Sequence, residues 1–209
     1  GVTSTALLVT CLRELGGDVC SYIPARQGEG YGLNAAALRR LAEQGCSLVI
    51  TVDTGITATQ EAQAARELSL SLVVTDHHQC AEALPECDAV VNPHRPDCPY
   101  PFKELAGVGV ALKLAQALGA ETEAYLDLAA LGTVADVMPL VGENRTIVSR
   151  GRAQIGRSGR VGLAALIEES GLSDKKIGAG TVGFTLAPRI NAAGRMADAS
   201  AGVELLLTE

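Results

Sequence analysis

Short apolar runs that alternate with segments of helical period constrain this chain more than any other feature. The runs are "DVCSYI" (18–23), "SLVITVD" (47–53), "LSLVVTD" (70–76) and "DAVVNP" (88–93). Between them lie "LNAAALRRLAEQG" (33–45) and "TATQEAQAARELS" (57–69), each about the length of one crossover helix. Strands alternating with helices predict βαβ units and a parallel sheet. Because the runs are continuous rather than alternating, both faces of that sheet are expected to be covered by helices. Ahead of the first run, Leu8, Cys11, Leu12 and Leu15 repeat at i, i+3, i+4, i+7. That spacing predicts a helix, with Thr3, Ser4 or Thr5 as its N-cap and Gly16-Gly17 ending it. From about residue 104 the pattern turns helical, through "ELAGVGVALKLAQALG", "EAYLDLAALGTVADVM", "NRTIVSRGRAQIG", "VGLAALIEESG" and a last segment at 198–208. A composition shift at Pro139–Gly142 suggests an α/β domain over 1–140 and a helical extension over 141–209.

Charge narrows the classes of partner. The net charge of -7 argues against a surface coated in basic groups for duplex DNA. The balance is uneven: residues 1–140 carry 8 Lys and Arg against 17 Asp and Glu, while residues 141–209 carry 9 against 7. Arg145, Arg150, Arg152, Arg157 and Arg160 crowd one stretch, which reads either as a solvated helix face or as a rim facing phosphate. No apolar run approaches membrane-spanning length. Aromatic residues are 3% of the chain and Trp is absent, so the core is expected to be aliphatic. Six cysteines stand at irregular spacings without a C-x-x-C pair, which disfavours a zinc ribbon and suits a reducing, cytoplasmic setting. A loose cluster of Cys80, Cys87, Cys98 and His94 is the one zinc alternative.

The polar residues gather where the apolar runs stop. Asp53 ends one run, Asp76 ends the next, and His77 and His78 follow at once. One crossover separates the two carboxylates, so a right-handed βαβ unit brings both to the carboxyl edge of the sheet, where open parallel sheets bind ligands. Two carboxylates and two imidazoles collected there need a positive partner, and mixed Asp and His ligation without thiolate suits Mn²⁺ or Mg²⁺. The other reading is that Asp53 and Asp76 cap the helices that follow while the histidines are exposed loop residues. Asp136, in "LAALGTVADVMPL", is either a further site carboxylate or a helix-terminal Asp facing water. Arg26 stands in the Gly-rich "RQGEGYG", a loop of the kind whose N–H groups can approach anions. "APRINAAGR" (187–195) sets Arg189, Asn191 and Arg195 among small residues, which suits either phosphate or close helix packing.

Taken in order, "TVDTGI" (51–56), "VTDHH" (74–78) and "GTVADVMPL" (132–140) resemble the motifs of the DHH phosphoesterase superfamily, a Rossmann-like α/β fold. "GVTSTALL" at the start is similar to the tail of that family's first motif. "YIPARQGEGYGLN" (22–34) and "GFTLAPRINAAGRMADA" (183–199) narrow the resemblance to the superfamily's single-strand-specific DNA exonucleases.

The resemblance implies 5′→3′ hydrolysis of single-stranded DNA with two Mn²⁺ or Mg²⁺ ions, in DNA repair and recombination. By motif, Asp53 would bridge the metals, and His77 and Asp136 would be ligands. Asp76 would orient the histidine, and His78 would contact the scissile phosphate. Arg26 and Arg189 would bind DNA phosphates, with Asn191 and Arg195 shaping that wall. A cytoplasmic monomer is implied, with single-strand-binding protein and recombination helicases as partners and no membrane. The rival readings are a relative acting on oligoribonucleotides or cyclic dinucleotides, and a non-catalytic binding relative. The family's first motif reads Asp-x-Asp-Gly, whereas this chain begins at Gly1, so the isolated 209-residue chain is expected to be inactive. The family's second domain and an OB-like DNA-binding domain are expected past its end.

Overall fold

The structure is a computed structural model that describes residues 1–24, 32–196 and 200–208. The Gly-rich loop that carries Arg26 lies outside the described residues. The chain divides into two compact units, one of Gly1–Ile23 with Glu104–Glu209 and one of Pro24–Lys103. No helix among the described residues is long and apolar enough to cross a membrane.

The unit Pro24–Lys103 holds the sheet. Its elements are α2 (Ala35–Glu43), β1 (Leu48–Val52), α3 (Thr59–Glu67), β2 (Ser71–Thr75) and β3 (Ala89–Val91), after α1 of the other unit. The strands pair in parallel in the order β1-β2-β3, as the alternation predicts. Helix α2 starts where Asn34 accepts the Ala37 N–H at 2.8 Å through its side chain, an ordinary N-cap. The helices supply Leu38, Ala62 and Ala65 to a buried cluster with Leu70, Leu72 and Val74. Val49 of β1 and Val90 of β3 pack against the same cluster, so every second strand residue meets the helices. The register decides where the site falls: Val52 is opposite Thr75, and Thr75 is opposite Val91. The residues that follow these three, Asp53, Asp76 and Asn92, therefore leave the sheet together at its carboxyl edge.

The unit Gly1–Ile23 with Glu104–Glu209 is helical. It comprises α1 (Val2–Glu14), α4 (Gly107–Ala117), a 3₁₀ turn (Thr122–Tyr125), α5 (Leu126–Ala135), α6 (Gly142–Ile155), α7 (Val161–Glu169), a short α8 (Ala179–Thr181), a π turn (Val182–Leu186), α9 (Ala187–Met196) and α10 (Ala201–Leu207). Helix α5 is buried from Leu126 through Thr133, so it is the core element around which the others pack. Gly151 makes the α5–α6 contact possible: a Cβ there would stand 1.9 Å from the Leu126 carbonyl oxygen. The stretch 139–142 lies inside this unit, between α5 and α6.

Two local expectations are corrected. Helix α1 begins at Val2 with Gly1 as its N-cap, and Thr3, Ser4 and Thr5 are buried inside its first turns. The Thr5 hydroxyl donates to the Gly1 carbonyl at 2.9 Å, so it bonds back along the helix rather than capping it. Residues 18–23 form no strand. The Arg13 guanidinium takes the Val19 carbonyl, at 3.1 Å from Nη2, in place of a strand neighbour.

Candidate metal centre

The turn after β1 is built to present a carboxylate. The Thr51 hydroxyl donates to the Thr54 carbonyl at 2.8 Å, which folds the chain back and leaves Asp53 at φ 60. Asp tolerates this left-handed conformation better than most residues. Gly55, at φ 109, has no such alternative: a Cβ would meet the Thr51 hydroxyl at 3.0 Å and Val74 at 3.2 Å. The turn is tied to β2 as well, since the Thr75 hydroxyl donates to the Thr51 carbonyl at 2.6 Å.

The Asp53 Oδ1 lies 3.0 Å from His77 Nε2, with the two side chains 17% and 7% exposed. Burial, the largest single influence, works against charge on Asp53, but hydrogen bonds and neighbouring positive charge, the His77 bond foremost among them, together outweigh it and hold the carboxyl well below the usual carboxylate range. Asp76 is 1% exposed and organises the rest. Its Oδ2 accepts the Ile56 N–H at 3.0 Å, from the loop after β1. Its Oδ1 accepts the His77 N–H at 2.8 Å, the His78 N–H at 3.3 Å and His78 Nδ1 at 2.7 Å. An ionised carboxylate only accepts, so Nδ1 carries the proton and Nε2 of His78 is left for another partner. Neither aspartate caps a helix; the N-cap of α3 is Ala58, with no side-chain cap. The histidines differ sharply, His77 being buried and the His78 side chain 56% exposed.

One ligand atom each from Asp53, His77 and His78 lies within 4.8 Å of the others. Two cis donors about 2.1 Å from an octahedral divalent ion are themselves about 3.0 Å apart. The observed 3.0 Å between Asp53 and His77 fits that separation, and oxygen with imidazole nitrogen fits Mn²⁺ or Mg²⁺ in kind. The zinc alternative is overturned: among the described residues Asp53, His77 and His78 are the group that could hold an ion, and Cys80, Cys87, Cys98 and His94 do not join into one. His94 instead meets the Gln79 amide at 3.2 Å, and the Cys87 thiol donates to the Ala89 carbonyl at 3.3 Å.

Sequence reasoning passed over Asn92. It is 2% exposed, its amide donates to the His78 carbonyl at 2.9 Å, and its oxygen accepts the His94 N–H at 2.8 Å. It fastens the histidine loop to β3. The signal was available, since Asn92 ends an apolar run just as Asp53 and Asp76 do.

The remaining candidates belong to the helical unit or lie outside the description. Asp136 is the exposed C-cap of α5. The turn after it is held by buried Asn144, whose amide donates to the carbonyls of Pro139 at 3.0 Å and Glu104 at 2.6 Å. Arg189 is exposed on α9, with Nη1 donating to the Thr185 carbonyl at 2.9 Å. Asn191 is exposed on the same helix; Arg195 also lies on α9, and its side chain is outside the described residues, as is all of Arg26. Of the arginine run, Arg150 pairs with Glu123, and Arg160 pairs with buried Asp127 at 3.0 Å. Those two serve structure, while Arg145, Arg152 and Arg157 are exposed.

The chain has counterparts among known proteins. The single-stranded-DNA-specific exonuclease RecJ of Bacillus subtilis is 51% identical over the whole of this chain, which spans 27% of that protein's length. A crystal structure of exonuclease RecJ bound to manganese superposes with a TM-score of 0.88 at 41% identity, covering 99% of this chain and 53% of that one. The Mn²⁺ complex of RecJ from Thermus thermophilus gives a TM-score of 0.84 at 38% identity, covering 100% of this chain and 30% of that one. The family model described as "DHH family, N-terminal domain" matches residues 1–133, a stretch that holds all of the sheet and the Asp-His-His turn whose geometry is given above. The chain belongs to the DHH family.

Proposed function

We propose that the protein is a metal-dependent exonuclease that hydrolyses single-stranded DNA, in the 5′→3′ direction, with Mn²⁺ or Mg²⁺. The observation that carries this reading is the convergence of Asp53, His77 and His78 ligand atoms within 4.8 Å at the carboxyl edge of a parallel sheet. The likeness to RecJ exonucleases, named for single-stranded DNA and crystallised with manganese, supports the substrate and the cation.

Asp53 and His77 would hold the cation, and Asp136 is assigned as a further ligand on its motif alone. When bound, a divalent cation supplies charge stabilisation at phosphorus and a nucleophile at neutral pH. The chain's own groups prepare the rest. Asp76 holds the His78 ring through Nδ1, and the exposed imidazole can donate to a phosphate oxygen when Nε2 also carries a proton. Buried His77 shields its side of the site from bulk solvent. Arg26 and Arg189 would take DNA phosphates, with Asn191 and Arg195 beside them. In the cell we place the protein in the cytoplasm as a monomer, served by single-strand-binding protein and recombination helicases that expose its strand.

The test is hydrolysis of 5′-labelled single strands and matched duplexes by the full-length protein with Mn²⁺. Asp53→Asn and His77→Ala should each abolish release of nucleotides and weaken Mn²⁺ binding measured by calorimetry. Undiminished cleavage in chelator, or by Asp53→Asn, refutes the reading.

A further inference from the structure

We infer that Phe184 is a stacking platform for a nucleobase of single-stranded DNA, with the Arg189 guanidinium set beside it for the adjoining phosphate. This rests on the nuclease reading and adds to it a contact for the base.

The chain has two Phe and no Trp, so a large aromatic left in water is a costly use of a scarce group. Phe184 is 88% exposed, while the turn that carries it is firmly anchored. Val182 and Leu186, at the two ends of the π turn, are 1% and 0% exposed. A π turn inserted in a helix puts one residue out of step with the packed face, and such bulges cluster at functional sites. Phe184 stands at the middle of this turn.

The turn is also well placed. A Cβ on Gly183 would touch Val134 of α5 at 3.4 Å, two residues before Asp136. Phe184 is thus carried by a segment docked on the end of α5 that bears a candidate ligand. That end has a second oddity. Val137, the residue after Asp136, occupies the left-handed position that normally ends a helix with Gly, at φ 57, and it too is 88% exposed. A β-branched residue held there is an outlier of the kind that persists where the surroundings demand it.

Charge picks the occupant. The Arg189 Nη1 donates to the carbonyl of Thr185, the residue next to Phe184, so the guanidinium is tied to the backbone one residue from the exposed ring. Residues 141–209, which contain both, carry 9 basic against 7 acidic groups, in contrast to the acidic remainder. An exposed ring beside a guanidinium suits an unpaired base followed by a phosphate, and stacking of this kind tolerates any base.

The experiment uses the full-length protein. Binding is read from fluorescence of strands carrying 2-aminopurine at successive positions, with Ca²⁺ in place of Mn²⁺; cleavage is read with Mn²⁺ on strands carrying one abasic site at each position. Phe184→Ala should leave the melting temperature unchanged and weaken binding and kcat/KM about 5- to 150-fold, the range expected for one lost base stack. Phe184→Trp should restore both. At one position an abasic site should impose the same loss on the unaltered protein and no further loss on Phe184→Ala. The inference is overturned if Phe184→Ala binds and cuts normally, if its loss is the same at every abasic position, or if its melting temperature falls, which would mark a seat for another protein segment. Should the unaltered protein cut single strands while Phe184→Ala cuts equally well, only the platform fails. Should it neither bind nor cut them, the nuclease reading fails as well.

Discussion

Replacing Asp76 by Asn changes one atom and keeps the shape, so its effect isolates what the carboxylate does. Asp76 is 1% exposed and accepts from Ile56 N, His77 N, His78 N and His78 Nδ1. With the amide oxygen in the Oδ1 position, the new NH₂ group faces the Ile56 N–H, donor against donor. A buried donor left without an acceptor costs about 1–3 kcal/mol, and the remaining bonds fall from charge-assisted strength toward about 1 kcal/mol each. These terms share one group and do not simply add, so we expect a loss of about 3–5 kcal/mol. His78 Nδ1 then meets a neutral amide oxygen in place of a carboxylate, and loss of such a supporting carboxylate typically lowers metal affinity about 10- to 100-fold. Urea unfolding followed by circular dichroism gives the first quantity, and Mn²⁺ titration calorimetry on the full-length protein gives the second. If Asp76→Asn stays within about 1 kcal/mol of the parent and binds Mn²⁺ within about twofold, Asp76 is not the organiser described here.

Three further outcomes follow from packing and burial. Gly151→Ala sets a methyl 1.9 Å from the Leu126 carbonyl oxygen and 2.6 Å from the Ala130 Cβ, so it should force α5 and α6 apart. The expected cost is at least about 1–3 kcal/mol, read as a lower urea midpoint. The Tyr125 phenol is raised well above its ordinary value, first by burial and then by its bond to Glu14. The unfolded chain then releases this proton at lower pH than the folded one, so stability should hold below about pH 10 and fall as pH rises past it. Tyr125→Phe should flatten that decline in urea midpoints measured on either side of the threshold. Iodoacetamide should label exposed Cys20 long before buried Cys11, whose thiol is pushed up chiefly by burial.

What could be read from the sequence is what depends on period. The runs at 47–53, 70–76 and 88–93 become β1, β2 and β3, paired in parallel; central β2 is the most buried of them, while β1 and β3 flank it and are partly exposed. Asp53, Asp76 and the two histidines were legible as a cluster because the register of a parallel sheet carries strand ends to one edge. Which aspartate serves which histidine was not legible. Asp76 follows β2 directly, yet it takes the imidazole of His78 and only the backbone N–H of His77, whose own ring meets Asp53. That choice depends on side-chain direction, which no spacing encodes. The run at 18–23 misled because β-propensity is local, whereas a strand exists only if a neighbour supplies hydrogen bonds, and Arg13 had taken the Val19 carbonyl. Thr3, Ser4 and Thr5 misled for the converse reason: capping preference is local, and burial of α1 decided its start. The π turn at 182–186 has no sequence signature that we can name.

Backbone strain at Asp53 offers a last test, one in which the usual order of two substitutions should reverse. Asp53→Ala and Asp53→Gly both remove the carboxylate facing His77, so both should lose Mn²⁺ binding alike. They differ only in what they ask of the backbone. At an ordinary position Gly is the less stable choice, because it loses more freedom on folding, by roughly 0.5–1 kcal/mol. At φ 60 the Ala methyl crowds the peptide while Gly is at ease, at a difference of about 1–2 kcal/mol. The second term exceeds the first, so Asp53→Gly should be the more stable variant, by up to about 1.5 kcal/mol. Paired urea titrations in the same buffer settle it. An Ala variant as stable as the Gly variant, or more so, would mean that the turn after β1 relaxes freely once the carboxylate is gone. The left-handed conformation would then be held by what Asp53 binds rather than by the Thr51–Thr54 turn.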